Sequence, residues 1–201
     1  MDALIEFDRW LLFLINGIHS PFLDEVFYLI SNKLIWIPLY VFFGYLLIKH
    51  YGRKSGIVLI LGTIMTVGSV DLICAKVIKP QVGRYRPSHN TEINSNLHFY
   101  TNSEGHEYRG GKYGFVSNHS ANSFALATFL FIFLRRKIKR FTLYIFLWAS
   151  IVAISRIYLG VHYPTDIVGG VLIGMSIASL FAILALVFVL KIENKTITKE
   201  S

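Results

Sequence analysis

The feature that most constrains this chain is a series of long apolar segments joined by mostly short polar connections. A helix needs about 20 mostly apolar residues to cross the hydrocarbon core of a bilayer. Five segments meet that need, over residues 33–50, 55–79, 117–134, 141–158 and 166–190. The sequence therefore predicts an all-α, polytopic membrane helix bundle with five full spans.

Composition supports a membrane protein of one domain. Only 16% of the residues are charged, against about a quarter in soluble domains, and 54% are hydrophobic. The length allows a single integral membrane domain over residues 1–201 and no second one. Cys74, the lone cysteine, lies in an apolar run, so an intramolecular disulfide is excluded and a buried apolar role is expected.

Residues 1–31 differ from the five spans. They form two short apolar-rich stretches, broken near Gly17 and Pro21 and interrupted by acidic and basic residues. This pattern favours helices that lie in the membrane interface, or a broken half-span, and brings the helix count to six; a sixth crossing stays open. No cationic stretch precedes an apolar core at the N-terminus, so no cleaved signal peptide is expected.

Basic connections predict the orientation of the bundle. Residues 50–54 and 135–140 carry two and five arginines or lysines, and both lie on one side with the tail 191–201 if the spans alternate. By the positive-inside rule that side is cytoplasmic, and the long connection 80–116 is extracytoplasmic. The net charge of +8 resides in such loops and in the motifs below, so nucleic acid is not an expected partner.

Four short polar motifs fall at the extracytoplasmic ends of the spans. They supply three cations, two histidines and a carboxylate, namely Lys79, Arg86, Arg156, His119, His162 and Asp166. A phosphoryl group in transfer spreads charge over three oxygens, and fixed cations stabilise it without covalent work. A single cation at this depth more often contacts membrane lipid phosphates. Gathered around histidines, the cations indicate removal of phosphate from a lipid.

Ser117, Asn118 and His119 begin the third span. A hydroxyl and free backbone N–H groups at a helix N-terminus form an anion site, although a lone serine there is more often only a cap. His119 is placed to give a proton to a leaving oxygen.

His162 and Asp166 are four residues apart across the start of the fifth span. Pro164 favours the first helical position, so Asp166 falls in the first turn, where a carboxylate alone would serve as a cap. With the histidine upstream, the carboxylate can orient the imidazole through one ring nitrogen and leave the other as a nucleophile. The pair could also ligate a metal, but the nearby cations would repel a divalent ion, and metal-free chemistry is favoured.

Three further features have structural or open interpretations. Asp71, near mid-membrane, is either a functional carboxylate or a hydrogen-bonding group between helices. The stripe Gly170, Gly174 and Ala178 predicts close helix packing. Arg84 and Tyr85, inside the first motif, are expected near the substrate headgroup.

Together the motifs resemble the phosphatidic acid phosphatase type 2 superfamily over residues 55–190. The family pattern K-x6-R-P corresponds to residues 79–87 (KPQVGRYRP), and S-R-x5-H-x3-D corresponds to residues 155–166. The family's P-S-G-H reads V-S-N-H at residues 116–119, so an asparagine replaces the glycine whose backbone N–H reaches the phosphate in relatives. An asparagine tolerates unusual backbone angles, and its amide could add a donor.

The resemblance implies a role for each matched residue. His162 would attack phosphorus and form phosphohistidine, Asp166 would orient it, and His119 would protonate the leaving oxygen and then assist water. The phosphoryl oxygens would be bound by Lys79, Arg86, Ser117, Asn118 and Arg156. No metal or cofactor is required.

The expected partners are a lipid phosphate or diphosphate and membrane lipids, in a bacterial inner membrane with the site facing outward. Undecaprenyl diphosphate is the predicted substrate, because the small size, the outward site and the N-terminal arrangement resemble bacitracin-resistance-type members. Phosphatidylglycerophosphate, phosphatidic acid and lipid A phosphate are alternatives. A membrane transporter or channel using Asp71 is the alternative of another class, and phosphate release distinguishes the two. The sequence predicts no oligomeric state.

Overall fold

The computed structural model describes residues 2–200, with side chains for residues 3–194. Met1 and Ser201, the ends of the predicted single domain, lie outside the described residues. Seven α-helical segments follow in order: α1 (Asp2–Asn16), α2 (Pro21–Ser31), α3 (Ile37–Leu72), α4 (Lys79–Val82), α5 (Asn118–Leu134), α6 (Phe141–Tyr158) and α7 (Pro164–Glu200). Over residues 2–200 the only β-pairing is two isolated bridges. The prediction of an all-α fold is confirmed.

Helix α3 is a hairpin of two helical arms. Gly52 leaves helical geometry with φ 73° and ψ 168°. A Cβ on Gly56 would lie 2.7 Å from Cα of Ile48, and one on Gly44 would lie 3.6 Å from the side chain of Ile60. These contacts pair the arms in antiparallel order about Gly52. The predicted first and second spans are therefore the two arms of one hairpin.

The helices provide the predicted crossings. Among the described residues, three are long and apolar enough to span a bilayer: the α3 region Lys33–Val82, helix α6, and Pro164–Asn194 of α7. The first of these contains two crossings because it folds back at Gly52. Helix α5, with 17 residues, is largely buried among the others. The chain is an integral membrane protein.

Helix α5 forms the centre of the bundle, and a stripe of small residues brings α7 against it. A Cβ on Gly170 would lie 2.7 Å from the carbonyl oxygen of Ser117, and one on Gly174 would overlap the carbonyl oxygen of Ala121. Ala178 continues the stripe and is fully buried. The close packing predicted from the stripe is confirmed, and it sets the start of α7 beside the start of α5.

The N-terminal part consists of two helices broken where the sequence predicts. Ser20 caps α2 by accepting the backbone N–H of Leu23 at 3.3 Å. Leu12 of α1 is fully buried with Phe99 and Ile157. Helices α1 and α2 therefore pack on α6 and on the long connection, while their position in the membrane interface stays a prediction.

The connection between α4 and α5 is ordered. It contains two short 3₁₀ turns, Pro87–His89 and Asn94–Asn96. Two of its own residues, Phe99 and Tyr100, are buried. The segment is a structured cover over the ends of the helices.

Candidate active site

His162 and Asp166 form the pair that their spacing predicts. His162 lies two residues before the start of α7, Asp166 lies in its first turn, and both side chains are almost fully buried. Nδ1 of His162 lies 3.3 Å from Oδ2 of Asp166, which also accepts the backbone N–H of Tyr163 at 3.0 Å. An ionised carboxylate only accepts hydrogen bonds, so this contact assigns the hydrogen to Nδ1 and leaves the lone pair on Nε2. The imidazole is thereby oriented to act as a nucleophile.

Arg84 holds the second oxygen of Asp166. Its Nη1 donates to Oδ1 of Asp166 at 2.9 Å, and its Nη2 donates to Oδ2 of Asp8 at 2.6 Å. Asp8, in α1, is 2% exposed, and its Oδ1 accepts the backbone N–H of Thr165 at 2.8 Å. Arg84 thus binds the carboxylate of the candidate pair, while its predicted contact with a headgroup stays a prediction, and the three side chains fix α1 and the long connection against the start of α7.

Lys79 and Arg86 converge on one carbonyl group. Nζ of Lys79 and Nε of Arg86 donate to the carbonyl oxygen of Tyr113 at 3.2 Å and 3.1 Å. Nη1 of Arg86 lies 3.4 Å from the carbonyl oxygen of Val161, the residue before His162. Both cations of the first motif therefore lie beside the candidate nucleophile.

Arg156 joins the second histidine to this cluster through Ser31. Arg156 is 1% exposed, and its two terminal nitrogens donate to Oγ of Ser31 at 2.5 Å and to the hydroxyl of Tyr108 at 2.9 Å. The carbonyl oxygen of Ser31 lies 3.1 Å from Nε2 of His119. Nε of Arg156 is buried without a hydrogen-bond partner among the described residues.

The start of α5 contributes a serine cap and an asparagine. Ser117 is fully buried and accepts the backbone N–H of Ser120 at 3.4 Å, while its own N–H donates to the carbonyl oxygen of Asp166 at 3.0 Å. Nδ2 of Asn118 donates to Oδ1 of Asp71 at 3.0 Å. The amide of Asn118 is therefore bound to α3, and its backbone N–H remains the group predicted to contact phosphate.

Asp71 forms hydrogen bonds between helices, which is one of the two roles that the sequence left open for it. Its Oδ1 accepts hydrogen bonds from Asn118 and, at 2.8 Å, from Nδ2 of Asn122, so it ties α3 to α5. Lys33 lies 3.8 Å from the same oxygen. The carboxylate is thus held in an ion pair near the ends of the helices that carry the candidate site.

The electrostatics of the cluster act on His162. Burial, followed by the positive charges of Arg86 and Arg156, holds the pKa of His162 well below its ordinary value, and Lys79 and His119 act on the same ring. Burial also lowers the pKa of Arg86 to about 10, which keeps this guanidinium charged at neutral pH. His162 is therefore neutral at pH 7 and keeps a free lone pair on its ring.

The structure adds site residues that the motifs did not contain, among them Asp8, Ser31 and Tyr108. Ser31 and Tyr108 have no spacing relation to Arg156 that a sequence would reveal. The importance of Asp8 could have been predicted from the sequence, because Asp8 lies one helical turn before Leu12 on the buried face of α1. A charged residue on a buried helix face needs a partner.

Over the described residues, no group of three or more His, Cys, Asp or Glu side chains is placed to hold a metal ion.

A buried, oriented imidazole among fixed cations at one end of a transmembrane bundle defines the protein as a membrane phosphoryl-transfer enzyme. The model of the PAP2 superfamily matches residues 56–189. The chain is 37% identical over 174 residues to the lipid A 4'-phosphatase of Bacteroides thetaiotaomicron, covering 87% of this chain and 75% of that protein. It is 34% identical over 177 residues to the lipid A 4'-phosphatase of Porphyromonas gingivalis, covering 87% and 71%.

A solved structure supports the fold. The crystal structure of a transmembrane PAP2 type phosphatidylglycerolphosphate phosphatase from Bacillus subtilis matches with a TM-score of 0.67 at 24% identity, over 90% of this chain and 85% of that one. The chain belongs to the PAP2 superfamily. It is a lipid phosphatase, a hydrolase of phosphoric esters.

Proposed function

We propose that the protein is a metal-independent phosphatase that removes a phosphate from a membrane lipid at the outer leaflet, through a phosphohistidine intermediate. The observation that carries this proposal is the contact between Nδ1 of His162 and Asp166 beside Lys79, Arg86 and Arg156. Family membership supports it, since the three cations and both histidines fall in matched motifs.

The reaction proceeds in two displacements. Nε2 of His162 attacks phosphorus, the bond from phosphorus to the lipid oxygen breaks, and His119 gives that oxygen its proton. Water then attacks the phosphohistidine, His119 takes a proton from it, and the bond from phosphorus to nitrogen breaks to release inorganic phosphate. The developing charge on the phosphoryl oxygens is stabilised by fixed donors at Lys79, Arg86, Ser117, Asn118 and Arg156.

Two lipids are candidates for the substrate of this protein. Similarity to two lipid A 4'-phosphatases favours a lipid A-type phosphate. Undecaprenyl diphosphate, the substrate predicted from the sequence, stays a prediction. The site faces outward in a bacterial inner membrane if the basic connections 50–54 and 135–140 are cytoplasmic.

A panel of purified lipids tests the proposal. Protein in detergent is offered lipid A, undecaprenyl diphosphate, phosphatidylglycerophosphate and phosphatidic acid, and released phosphate is measured. We expect the highest kcat/KM for lipid A. A protein that releases phosphate from none of these lipids would contradict the proposed reaction, and preference for undecaprenyl diphosphate would restore the original substrate prediction.

Chelation tests metal independence separately. We expect phosphate release to change by less than about twofold after EDTA treatment, because side-chain cations already provide the charge that a metal would supply. The same assay after dialysis into Mg²⁺ or Zn²⁺ is the control. Loss of activity in EDTA with recovery on metal addition would overturn this part of the proposal.

A further inference from the structure

The long connection between α4 and α5 carries the side chain of Tyr108 into the cluster of the candidate site. Thr101 and Glu107 form an isolated antiparallel bridge just before it. The backbone N–H of Tyr108 donates to the carbonyl oxygen of Tyr100 at 2.8 Å. The ring of Tyr28 in α2 packs on both tyrosines, at 4.1 Å from the ring centre of Tyr100 and 5.6 Å from that of Tyr108. Tyr108 is therefore positioned by backbone and ring contacts that do not involve its hydroxyl group.

The hydroxyl group of Tyr108 is bound as an acceptor. Nη2 of Arg156 donates to it at 2.9 Å, and the ring centre lies 5.4 Å from Cζ of the same guanidinium. The side chain of Ser31 contributes a further hydrogen bond to this oxygen. A tyrosine hydroxyl both accepts and donates, whereas a guanidinium only donates. Among the contacts of the described side chains the hydroxyl of Tyr108 acts only as an acceptor, so its own hydrogen is available to a ligand.

The same hydroxyl lies in the field of both arginines that are proposed to bind the phosphoryl group. Burial alone would raise the pKa of Tyr108, but the positive charge of Arg156, its hydrogen bond and the positive charge of Arg86 together lower this pKa below its ordinary value. A hydroxyl polarised by two neighbouring cations is a good donor to an anionic oxygen. The electrostatics therefore favour donation from Tyr108 to a phosphoryl oxygen.

The position of Tyr108 also brings it next to a bound phosphoryl group. Arg156 is 1% exposed, whereas Tyr108 is partly exposed and packs against it. Nη2 of Arg156 carries two hydrogens, and Tyr108 is the acceptor for one of them. A phosphoryl group that is bound by the other hydrogen lies beside the tyrosine hydroxyl.

We propose that Tyr108 is a further catalytic residue, whose hydroxyl donates a hydrogen bond to a phosphoryl oxygen while phosphate is transferred to and from His162. The proton stays on the tyrosine oxygen throughout, so the bonds that form and break in the two displacements are unchanged. Fixed donors around the group in transfer stabilise the charge that is spread over its three oxygens. The inference rests on the proposed phosphatase function and adds a neutral donor from the long connection to the cations of the helices.

The test removes the hydroxyl and keeps the ring. We expect Tyr108→Phe to lower kcat about 10- to 100-fold for the lipid of the panel that is hydrolysed fastest, the scale of one lost hydrogen bond to a charged group. KM should change less than about twofold, because the donor acts mainly in the transition state. Tyr100→Phe is the matched control. Tyr100 packs on the same ring of Tyr28, but its hydroxyl contacts Glu25, and kcat should stay within about twofold.

A double variant separates donation to the substrate from support of Arg156. If Tyr108 acts only by holding Arg156 in place, Tyr108→Phe has no further effect once that arginine is replaced. If its hydroxyl contacts the phosphoryl group, Tyr108→Phe should lower the rate of the Arg156→Lys enzyme by about another tenfold. Single turnovers with ³²P-labelled lipid measure both rates.

The outcomes separate this inference from the function on which it rests. Wild-type kcat in Tyr108→Phe, or no further loss in the Arg156→Lys enzyme, would overturn the role of Tyr108 and leave the phosphatase intact. An equal fall in kcat for Tyr108→Phe and Tyr100→Phe would also overturn it, because the two tyrosines would then act only through packing on Tyr28. Absence of phosphate release from every lipid by the wild-type protein would instead contradict the proposed function.

Discussion

Replacing His162 with alanine is expected to lower phosphate release by at least about 10⁴-fold, the scale on which loss of a nucleophile acts. Nδ1 of His162 is bound to Asp166, so only Nε2 is free to attack, and alanine leaves nothing in its place. Because the pKa of His162 is held well below its ordinary value, protonation of this ring should not limit wild-type activity near pH 6.5 and should do so only at lower pH. Steady-state phosphate release and its pH profile provide the measurement.

A surface histidine provides the control for this variant. His106→Ala removes an imidazole from the exposed part of the long connection, where its partner is Glu104, and should leave the rate unchanged. Wild-type enzyme incubated with ³²P-labelled lipid and quenched in alkaline detergent, in which the phosphorus–nitrogen bond survives, should carry acid-labile phosphate, and the His162→Ala enzyme should carry none. Normal turnover by His162→Ala would refute the nucleophile assignment.

Asp8→Asn is expected to lower kcat about 10²-fold with little change in KM, although Asp8 lies in α1 and does not reach the substrate. Its carboxylate anchors Arg84, which holds Asp166, and it accepts the backbone N–H of Thr165. The amide removes the charge that fixes Arg84, so the imidazole of His162 loses its orientation. Loss of a nearby negative charge should also lower the pKa of His162 and move the acid limb of the pH profile to lower pH.

Asp24→Asn is the matched control for Asp8→Asn. Asp24 in α2 accepts a hydrogen bond from the hydroxyl of Tyr158 at 2.6 Å and pairs with His98, so it ties an N-terminal helix to the bundle without reaching Asp166. Both variants should lower thermal stability, but only Asp8→Asn should change kcat and the pH profile. Equal kinetic effects in the two variants would show that Asp8 acts through folding alone.

The elements of the fold were predictable because each crossing carries its own signal. Apolar length located α6 and α7, and the stripe at Gly170 and Gly174 predicted which face of α7 packs closely. The hairpin in α3 was implied by the basic connection 50–54, whose Gly52 makes the reversal. What the sequence did not contain was the way in which α1 and α2 dock, since that depends on single polar contacts.

The residues of the candidate site also fall into a group that the sequence predicted and a group that it did not. Lys79, Arg86, Arg156 and the pair His162 and Asp166 were predictable, because their chemistry requires certain residue types at helix ends. Their partners were not. Ser31 meets Arg156 across 125 residues of sequence, and Asp8 meets Arg84 across 76, and neither pair has a fixed spacing.

The hairpin at Gly52 also fixes the relative heights of Lys33 and Asp71 along the bundle. Lys33 stands nineteen residues before Gly52 and Asp71 stands nineteen residues after it, so equal arm lengths bring the two charges level. Deleting one residue from either arm would turn the remainder of that helix by about 100° and shift it by about 1.5 Å. Only a compensating deletion in the opposite arm would return the two ends to the same height.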